Sequence, residues 1–363
     1  MITVFTLCAT NYLAHAKVLG DSLAEHNPDL RFVIGLVDRL PKDLNPSHWS
    51  PYEIIPVEQL GIEAFSEMVE RYDIVELSTA VKPFYFEWLY LRDPSVEALV
   101  YLDPDILVCS SLDRLIAKLR EYNLVVTPHN CTFDDTPRNL YYELAMLSTG
   151  VFNLGFLGTS RNQTTFAFLK WWQTRVRDYC YYAPGAGVFV DQLWMTLAPL
   201  YFPGVHVEKD PGYNMCYWNL FERRLSRRNG HYVVNDDARL VFYHFSSYRP
   251  EEEEFTTTRS QPVRISFRER PDVRAVYDEY RARLLGTGYN AVKDRPWLIP
   301  GRRTNSTPRV ATAIKTAIKS GLRACFRILP RSMQLMLRPK PRFSIHACFE
   351  KQLTGEPNRF TKT

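Results

Sequence analysis

The first hundred residues alternate between two kinds of segment, and that alternation most limits what the chain can become. Ile2–Cys8 is a short apolar run rich in β-branched and aromatic residues, the pattern of a buried strand. Ala14–His26 then places Ala16, Leu19, Leu23 and Ala24 at helical spacing. Arg31–Val37 returns to strand character, with Ile54–Pro56 a further short strand. Helices follow near Ile62–Glu70 and Val81–Leu91, and Ala98–Leu102 is a strand again. Parallel strands need long crossovers and helices supply them, so the alternation predicts an α/β domain with a doubly wound, mostly parallel sheet. Ligands on such sheets bind at the carboxyl ends of the strands. Chemistry is therefore sought just after each apolar run.

Beyond residue 123 the pattern is less regular. Leu124–Thr127, Val151–Leu157 and Leu240–Phe245 read as strands, Thr164–Tyr179 as a helix and Asn130–Asn139 as a polar loop. Residues 285–308 mix Gly and Pro with polar residues and read as a linker. The chain thus divides into a main domain over 1–284, a linker over 285–308 and a tail over 309–363. Charge changes sign close to the end of the linker. Residues 301–363 hold 14 Lys/Arg against 2 Asp/Glu, a net +12, which leaves 31 against 38, a net −7, for residues 1–300. In the tail, Val310, Ile314, Ile318, Leu322, Phe326 and Leu329 follow helical spacing beside Lys315, Lys319, Arg323 and Arg327. That is a basic amphipathic pattern suited to an anionic membrane surface. No base-reading motif accompanies it, which argues against nucleic acid. No apolar run of 18 residues occurs, and Met1–Leu7 lacks the basic flank of a signal peptide. The seven cysteines are scattered without a C-x-x-C pair, as in a reducing, cytoplasmic compartment. A cytoplasmic protein, peripheral on the inner face of the membrane, is the expectation.

The strongest chemical signal is Leu99-Val-Tyr-Leu-Asp103-Pro-Asp105-Ile-Leu-Val108, where a strand runs into two carboxylates one residue apart. Two acids beside a buried strand need a neutralising partner. A hard divalent cation, Mg²⁺ or Mn²⁺, is that partner, because it prefers carboxylate oxygens. In extended i, i+2 geometry both side chains share a face and can serve one ion. Taken alone, the same residues also describe a strand end capped by an Asp-Pro turn.

The surrounding order is more specific. Thr6-Leu-Cys-Ala-Thr-Asn11-Tyr12 follows the first strand, and Thr79-Ala-Val-Lys82-Pro-Phe-Tyr85 precedes the acids. Phe152-Asn153-Leu-Gly155, Asp191-Gln192 and Tyr243-His244-Phe245 come after them in that order. Over roughly residues 1–250 this series resembles the GT-A (Rossmann-like) fold glycosyltransferases, in particular glycosyltransferase family eight and its bacterial relatives. The resemblance implies a nucleotide-sugar donor, UDP-linked, bound by Thr6, Asn11, Tyr12, Lys82 and Asp103. It implies a metal held by Asp103, Asp105 and His244, and Asn153, Asp191 and Gln192 on the reacting face with retention of configuration. The basic tail fits a saccharide or lipid-linked saccharide acceptor in surface-polysaccharide or lipopolysaccharide assembly. Where the family has a glycine and a K-P-W segment after its histidine, this chain reads His244-Phe-Ser-Ser-Tyr-Arg249-Pro, which passes the diphosphate role to Arg249. The family's uracil-contacting acid is missing, with Thr10 near its place. Asp210-Pro-Gly-Tyr213-Asn214-Met-Cys-Tyr217-Trp218-Asn219 interleaves aromatics and amides, as a sugar-binding wall does. Two rival readings stand beside this one. A haloacid-dehalogenase phosphatase also places D-x-D after a strand, but has Thr or Val where this chain has Leu107. A membrane-attached carbohydrate-binding protein of the same fold without chemistry is the other.

Overall fold

Short apolar runs became strands wherever both faces could be covered. The computed structural model describes residues 1–43, 46–49, 51–260 and 262–299. In chain order the strands are β1 (Ile2–Cys8), β2 (Arg31–Leu36), β3 (Glu53–Pro56), β4 (Ala98–Leu102), β5 (Ile106–Val108), β6 (Leu124–Val126), β7 (Phe156–Ser160), β8 (Tyr182–Ala183), β9 (Val188–Phe189), β10 (Val205–Val207), β11 (Leu225–Arg228), β12 (His231–Val234), β13 (Ala238–Arg239) and β14 (Phe242–His244). Eleven α-helices are described. They are α1 (Leu13–His26), α2 (Phe65–Arg71), α3 (Ile74–Ala80), α4 (Lys82–Arg92), α5 (Asp113–Glu121), α6 (Pro137–Thr149), α7 (Gln163–Tyr179), α8 (Gln192–Met195), α9 (Ala198–Tyr201), α10 (Arg274–Gly286) and α11 (Tyr289–Val292).

Seven strands form one sheet in the order β10-β6-β7-β4-β1-β2-β3. All pairings are parallel except those of β7, which runs antiparallel to both neighbours. The chain moves from β1 outward to β2 and β3, then returns to β4 on the other side of β1. The reversal point lies between β1 and β4, where the crevice of a doubly wound sheet opens. The turn after β1 and the two acids after β4 therefore share one edge.

Helix α1 buries Leu13, Ala14, Val18, Leu19 and Leu23, and its solvent side carries the Lys17–Asp21 pair at 3.0 Å. Each fully buried Leu or Val contributes about 1.5–3 kcal/mol by leaving water. Gly20 sets how closely α1 approaches the sheet, since a Cβ there would stand 2.7 Å from the Tyr52 ring and 2.8 Å from Phe32. Outside the main sheet, β14 pairs antiparallel with β5, with His244 opposite Ile106. Behind β14, Phe245 stacks on Tyr280 of α10 at 3.8 Å, and Tyr243 meets Tyr277 at 5.4 Å.

Three expectations change. Val151–Leu157 is not a strand throughout: Phe152–Gly155 turns, and β7 begins at Phe156. Asn153 makes the turn, its backbone N–H bonding Thr127 O at 3.0 Å and its Oδ1 accepting from the Gly155 N–H at 3.0 Å. The polar loop from Asn130 ends early, because Thr136 caps α6 and Pro137 occupies its first turn. Residues 285–299 do not behave as a linker. Tyr289 and Val292 of α11 are buried in the core, and Trp297 Nε1 donates to Val37 O at 3.1 Å. Gly288, with φ +86°, separates two helices here rather than loosening the chain. Residues 300–308 and the basic tail over 309–363 lie outside the described residues.

Candidate active site

The loop leaving β4 turns at Asp103-Pro-Asp105 and enters β5. Because β14 pairs with β5 in the register that faces His244 with Ile106, the imidazole arrives beside both acids. His244 Nε2 stands 3.2 Å from Asp105 Oδ1 and 3.7 Å from Asp103 Oδ2. One ligand atom from each of the three residues falls within 4.8 Å of the others. Two donors bound to one ion at about 2.1 Å are roughly 3 Å apart when adjacent in an octahedron. The 3.2 Å between His244 and Asp105 suits adjacent positions, and Asp103 stands wider, at 3.7 Å.

Burial raises the Asp103 carboxyl above its ordinary range, against the lowering pull of Lys82 and His244. Burial also works to raise Asp105, but the charge and hydrogen bond of His244 outweigh it and the net shift is downward. On His244 burial opposes the charge, yet Asp105 prevails and holds the imidazole above its usual value. The two carboxylates thus attract positive charge strongly, and a divalent ion competes with a proton for Nε2.

The other face of the imidazole is fixed. His244 Nδ1 lies 3.2 Å from Asn214 Oδ1. Asn214 Nδ2 donates to Thr127 Oγ1 at 2.9 Å and to Asn153 Oδ1 at 3.0 Å, which leaves its Oδ1 to accept from Nδ1–H. Nε2 is then the nitrogen left free to bind an ion, which matches the outer-partner arrangement of metal-binding histidines. Asn214 adopts φ +53°, a left-handed conformation that Asn tolerates better than most residues. Gly155 is required beside it: a Cβ would sit 2.4 Å from His244 Cε1. Trp218 closes the site edge-on to His244, with ring centroids 5.3 Å apart. The aromatic-amide block is therefore mainly frame. Asn219 Nδ2 is engaged by His129 O and Asn214 O, so these amides are committed to protein partners rather than open to hydroxyls.

Asn153, Asp191 and Gln192 meet next to this group. Gln192 Oε1 accepts from Leu154 N at 3.2 Å and lies 3.4 Å from Asn153 Nδ2, while its Nε2 donates to Thr149 O at 2.9 Å. Val190, just before them, is held at φ +37°, a strained conformation for a β-branched residue. Lys82 opens α4 and is fully enclosed. Its Nζ pairs with Asp191 Oδ2 at 2.8 Å, donates to Leu154 O at 2.9 Å and lies 4.2 Å from the centre of the Tyr101 ring. The Tyr101 hydroxyl donates to Asp103 Oδ1 at 2.6 Å, which joins the lysine to the acids. Asp191 is raised by burial, against Lys82.

The turn after β1 carries the remaining candidates. Tyr12 is partly exposed, and its hydroxyl is pushed up to about 12 by burial, then by Asp105 and Asp103, with Arg249 opposing. Asn11 and Arg249 lie at the surface of the same region, and Arg249 is exposed. Thr6 sits apart from them, inside β1 with its hydroxyl buried. An acid from the next strand braces this turn. Asp38, after β2, accepts from Thr10 Oγ1 at 2.7 Å and from the N–H groups of Thr10, Arg39 and Leu298.

No family model matches the chain. Among curated proteins it is similar to the uncharacterized proteins YfnF and YfnD of Bacillus subtilis (strain 168). Identity to YfnF is 25% over 245 residues, 67% of this chain and 80% of YfnF. Identity to YfnD is 24% over 247 residues, 67% of this chain and 76% of YfnD. Among solved structures it is similar to the galactosyltransferase LgtC in complex with donor and acceptor sugar analogues. That likeness is 17% identity over 82% of this chain and 98% of LgtC, with a TM-score of 0.45.

Sequence reasoning missed Asp38, Tyr101, His129 and His15. Asp38 ends an apolar run as Asp103 does, so its position was a signal. His15 stacks on Tyr12 at 4.3 Å, and His129 Nε2 lies 3.4 Å from Asn153 Nδ2. Neither histidine has a sequence neighbour that marks it.

Proposed function

We propose that this protein is a metal-dependent glycosyltransferase of the GT-A type. It takes a sugar from a nucleotide-sugar donor, UDP-linked, and passes it with retention to a saccharide or lipid-linked saccharide in surface-polysaccharide or lipopolysaccharide assembly. The observation that carries this reading is the meeting of Asp103, Asp105 and His244 within 4.8 Å at the carboxyl edge of the sheet. Asn214 and Asn153 bridge from there directly to the Gln192 and Asp191 group.

Breaking a sugar–phosphate bond builds negative charge on the leaving diphosphate and positive charge on the anomeric carbon. Asp103, Asp105 and His244 would hold Mn²⁺ or Mg²⁺, which supplies Lewis-acid neutralisation of the diphosphate when bound. Arg249, exposed near Tyr12, offers a planar fork to phosphate oxygens that a lysine lacks. Lys82 is held by Asp191, so its charge acts through a fixed ion pair that sets the field on the reacting face. Asp191 brings carboxylate charge towards the developing cation. Asn153 and Gln192 position that face, and retention follows the resemblance that Asp191-Gln192 carries. The turn Thr10–Tyr12, braced by Asp38, receives the nucleoside. No helix among the described residues is long and apolar enough to cross a membrane. In this reading the basic segment 301–363, net +12, attaches the enzyme peripherally to the anionic inner face of the cytoplasmic membrane.

The test is a panel of nucleotide sugars, with Mn²⁺ or with chelator, scored for donor consumption. At least one UDP-sugar should be consumed only with metal. Proton NMR of the product's anomeric signal reads the stereochemistry. Consumption of no nucleotide sugar under any condition would remove the reading, and an inverted product would remove retention.

A further inference from the structure

Outside the metal centre the described residues build a cavity of about 270 Å³ between α6, the loop after Trp218 and the segment entering α10. Three arginines reach it, and they are not alike. Arg270 is buried and fully committed, donating to the carbonyls of Leu220 and Arg223 and to Asp272. It is part of the wall. Arg138 is paired only with Glu269, at 3.5 Å, and both side chains are well exposed. Arg224 is exposed, and its guanidinium makes no hydrogen bond or ion pair with any described residue. Inside the cavity, Tyr142 and Phe221 present nearly parallel rings, 6.3 Å between centroids at 18°. Tyr142 is 5% exposed, and its hydroxyl has no hydrogen-bond partner.

A buried hydroxyl without a partner is uncommon and asks what would complete it. Two under-used guanidinium groups beside aromatic faces suggest an answer. Guanidinium forks match carboxylates and phosphates. Aromatic faces suit the C–H faces of a sugar ring, and the phenol can bond one of its hydroxyls. The volume is just under the roughly 300 Å³ at which pockets for larger small molecules begin, so it admits one sugar unit. Its location is also telling. Tyr142 packs with Cys216, Tyr217 and Trp218, and Trp218 touches His244 edge-on. One aromatic layer separates the cavity from the metal centre.

We infer that this cavity binds one anionic saccharide unit, a sugar bearing a carboxylate or a phosphate. Its role rests on the glycosyltransferase reading: the unit belongs to the acceptor, next to the residue that receives the sugar. The acceptor is then an acidic or phosphorylated glycan.

The full-length protein is titrated calorimetrically with galacturonate, glucose 6-phosphate, glucose and inorganic phosphate. The two anionic sugars should saturate a single site; whichever binds tighter separates carboxylate from phosphate as the natural anion. Glucose should bind at least tenfold more weakly than either, and inorganic phosphate at least tenfold more weakly than glucose 6-phosphate. Arg138→Gln with Arg224→Gln should reduce affinity at least tenfold, and Tyr142→Phe about threefold. Neither arginine holds the fold together, so the double variant should denature at the wild-type midpoint. Phosphate binding as tightly as the sugar phosphate, or double-variant binding equal to wild type, would overturn the inference. Nucleotide-sugar consumption without anionic-sugar binding would overturn it and leave the enzyme reading intact. Binding without turnover of any nucleotide sugar would keep the site and overturn the enzyme reading instead.

Discussion

Replacing Lys82 by Met removes the cation that faces Asp191 across 2.8 Å in a part of the core where both side chains are 2% exposed. A screened surface pair would lose less than 1 kcal/mol on such a change. This pair is enclosed, so the surviving carboxylate is left in the interior, and breaking buried pairs this way costs about 3–5 kcal/mol. Methionine fills most of the lysine's volume, which keeps a packing defect small. The pH dependence follows from the direction of the Asp191 shift. Its folded-state carboxyl is already raised by burial, and losing Lys82 raises it further. A raised carboxyl destabilises the folded state as pH rises above the unfolded value near 4, by up to about 1.4 kcal/mol per pH unit, and the loss levels off above the folded value. Urea denaturation should therefore show the variant nearest wild type around pH 4 and furthest from it near pH 7.5. Adding Asp191→Leu should recover most of the stability, because an apolar pair replaces a buried ion pair at little cost. A loss below 1 kcal/mol at pH 7.5, or a gap that widens towards acid, would refute the enclosed-pair account.

Three further outcomes are expected. His15 and His129 are both pushed down to about 4 by burial. Each favours folding above its unfolded value near 6.5, and that stability is lost as pH falls towards 4, about 3 kcal/mol apiece. His15→Gln should flatten about half of that acid slope in urea titrations, and an unchanged slope would place the titration elsewhere. Asn214→Gly keeps the left-handed backbone but frees His244 Nδ1. Mn²⁺ affinity measured by titration should fall about 10- to 100-fold, and unchanged affinity would remove His244 from the ion. A chain ending at Gly301 should keep its denaturation midpoint and its turnover of a soluble acceptor. It should lose sedimentation with anionic liposomes, since each Lys or Arg contributes about 1 kcal/mol there; retained sedimentation would place the membrane contact in the main unit.

The parallel half of the sheet was legible because β1, β2 and β4 are short, mostly apolar runs buried on both faces. β7 was misplaced by five residues because Phe152-Asn153-Leu154 reads as strand until Asn153's side chain bends it. β10, β11 and α10 went unread: they are short or weakly patterned, and neighbours distant in sequence stabilise them. At the site, Asp103 and Asp105 stood out because carboxylates at a strand end are costly. Lys82 was legible as a residue but not in its setting, since only the fold reveals that Asp191 meets it across 109 positions. Asp38 and Asn214 stood in visible positions, but their hydrogen-bond partners lie on other segments and leave no local pattern.

The central claim is that Asp103 and Asp105 hold a catalytic ion for sugar transfer. Release of UDP from a UDP-sugar, with Mn²⁺ titrated into chelator-treated protein, tests it most directly. Wild-type release should require the metal, and Asp103→Asn and Asp105→Asn should each lose at least a hundredfold in rate with unchanged folding. Near-normal release from the double variant in the presence of chelator would contradict the account.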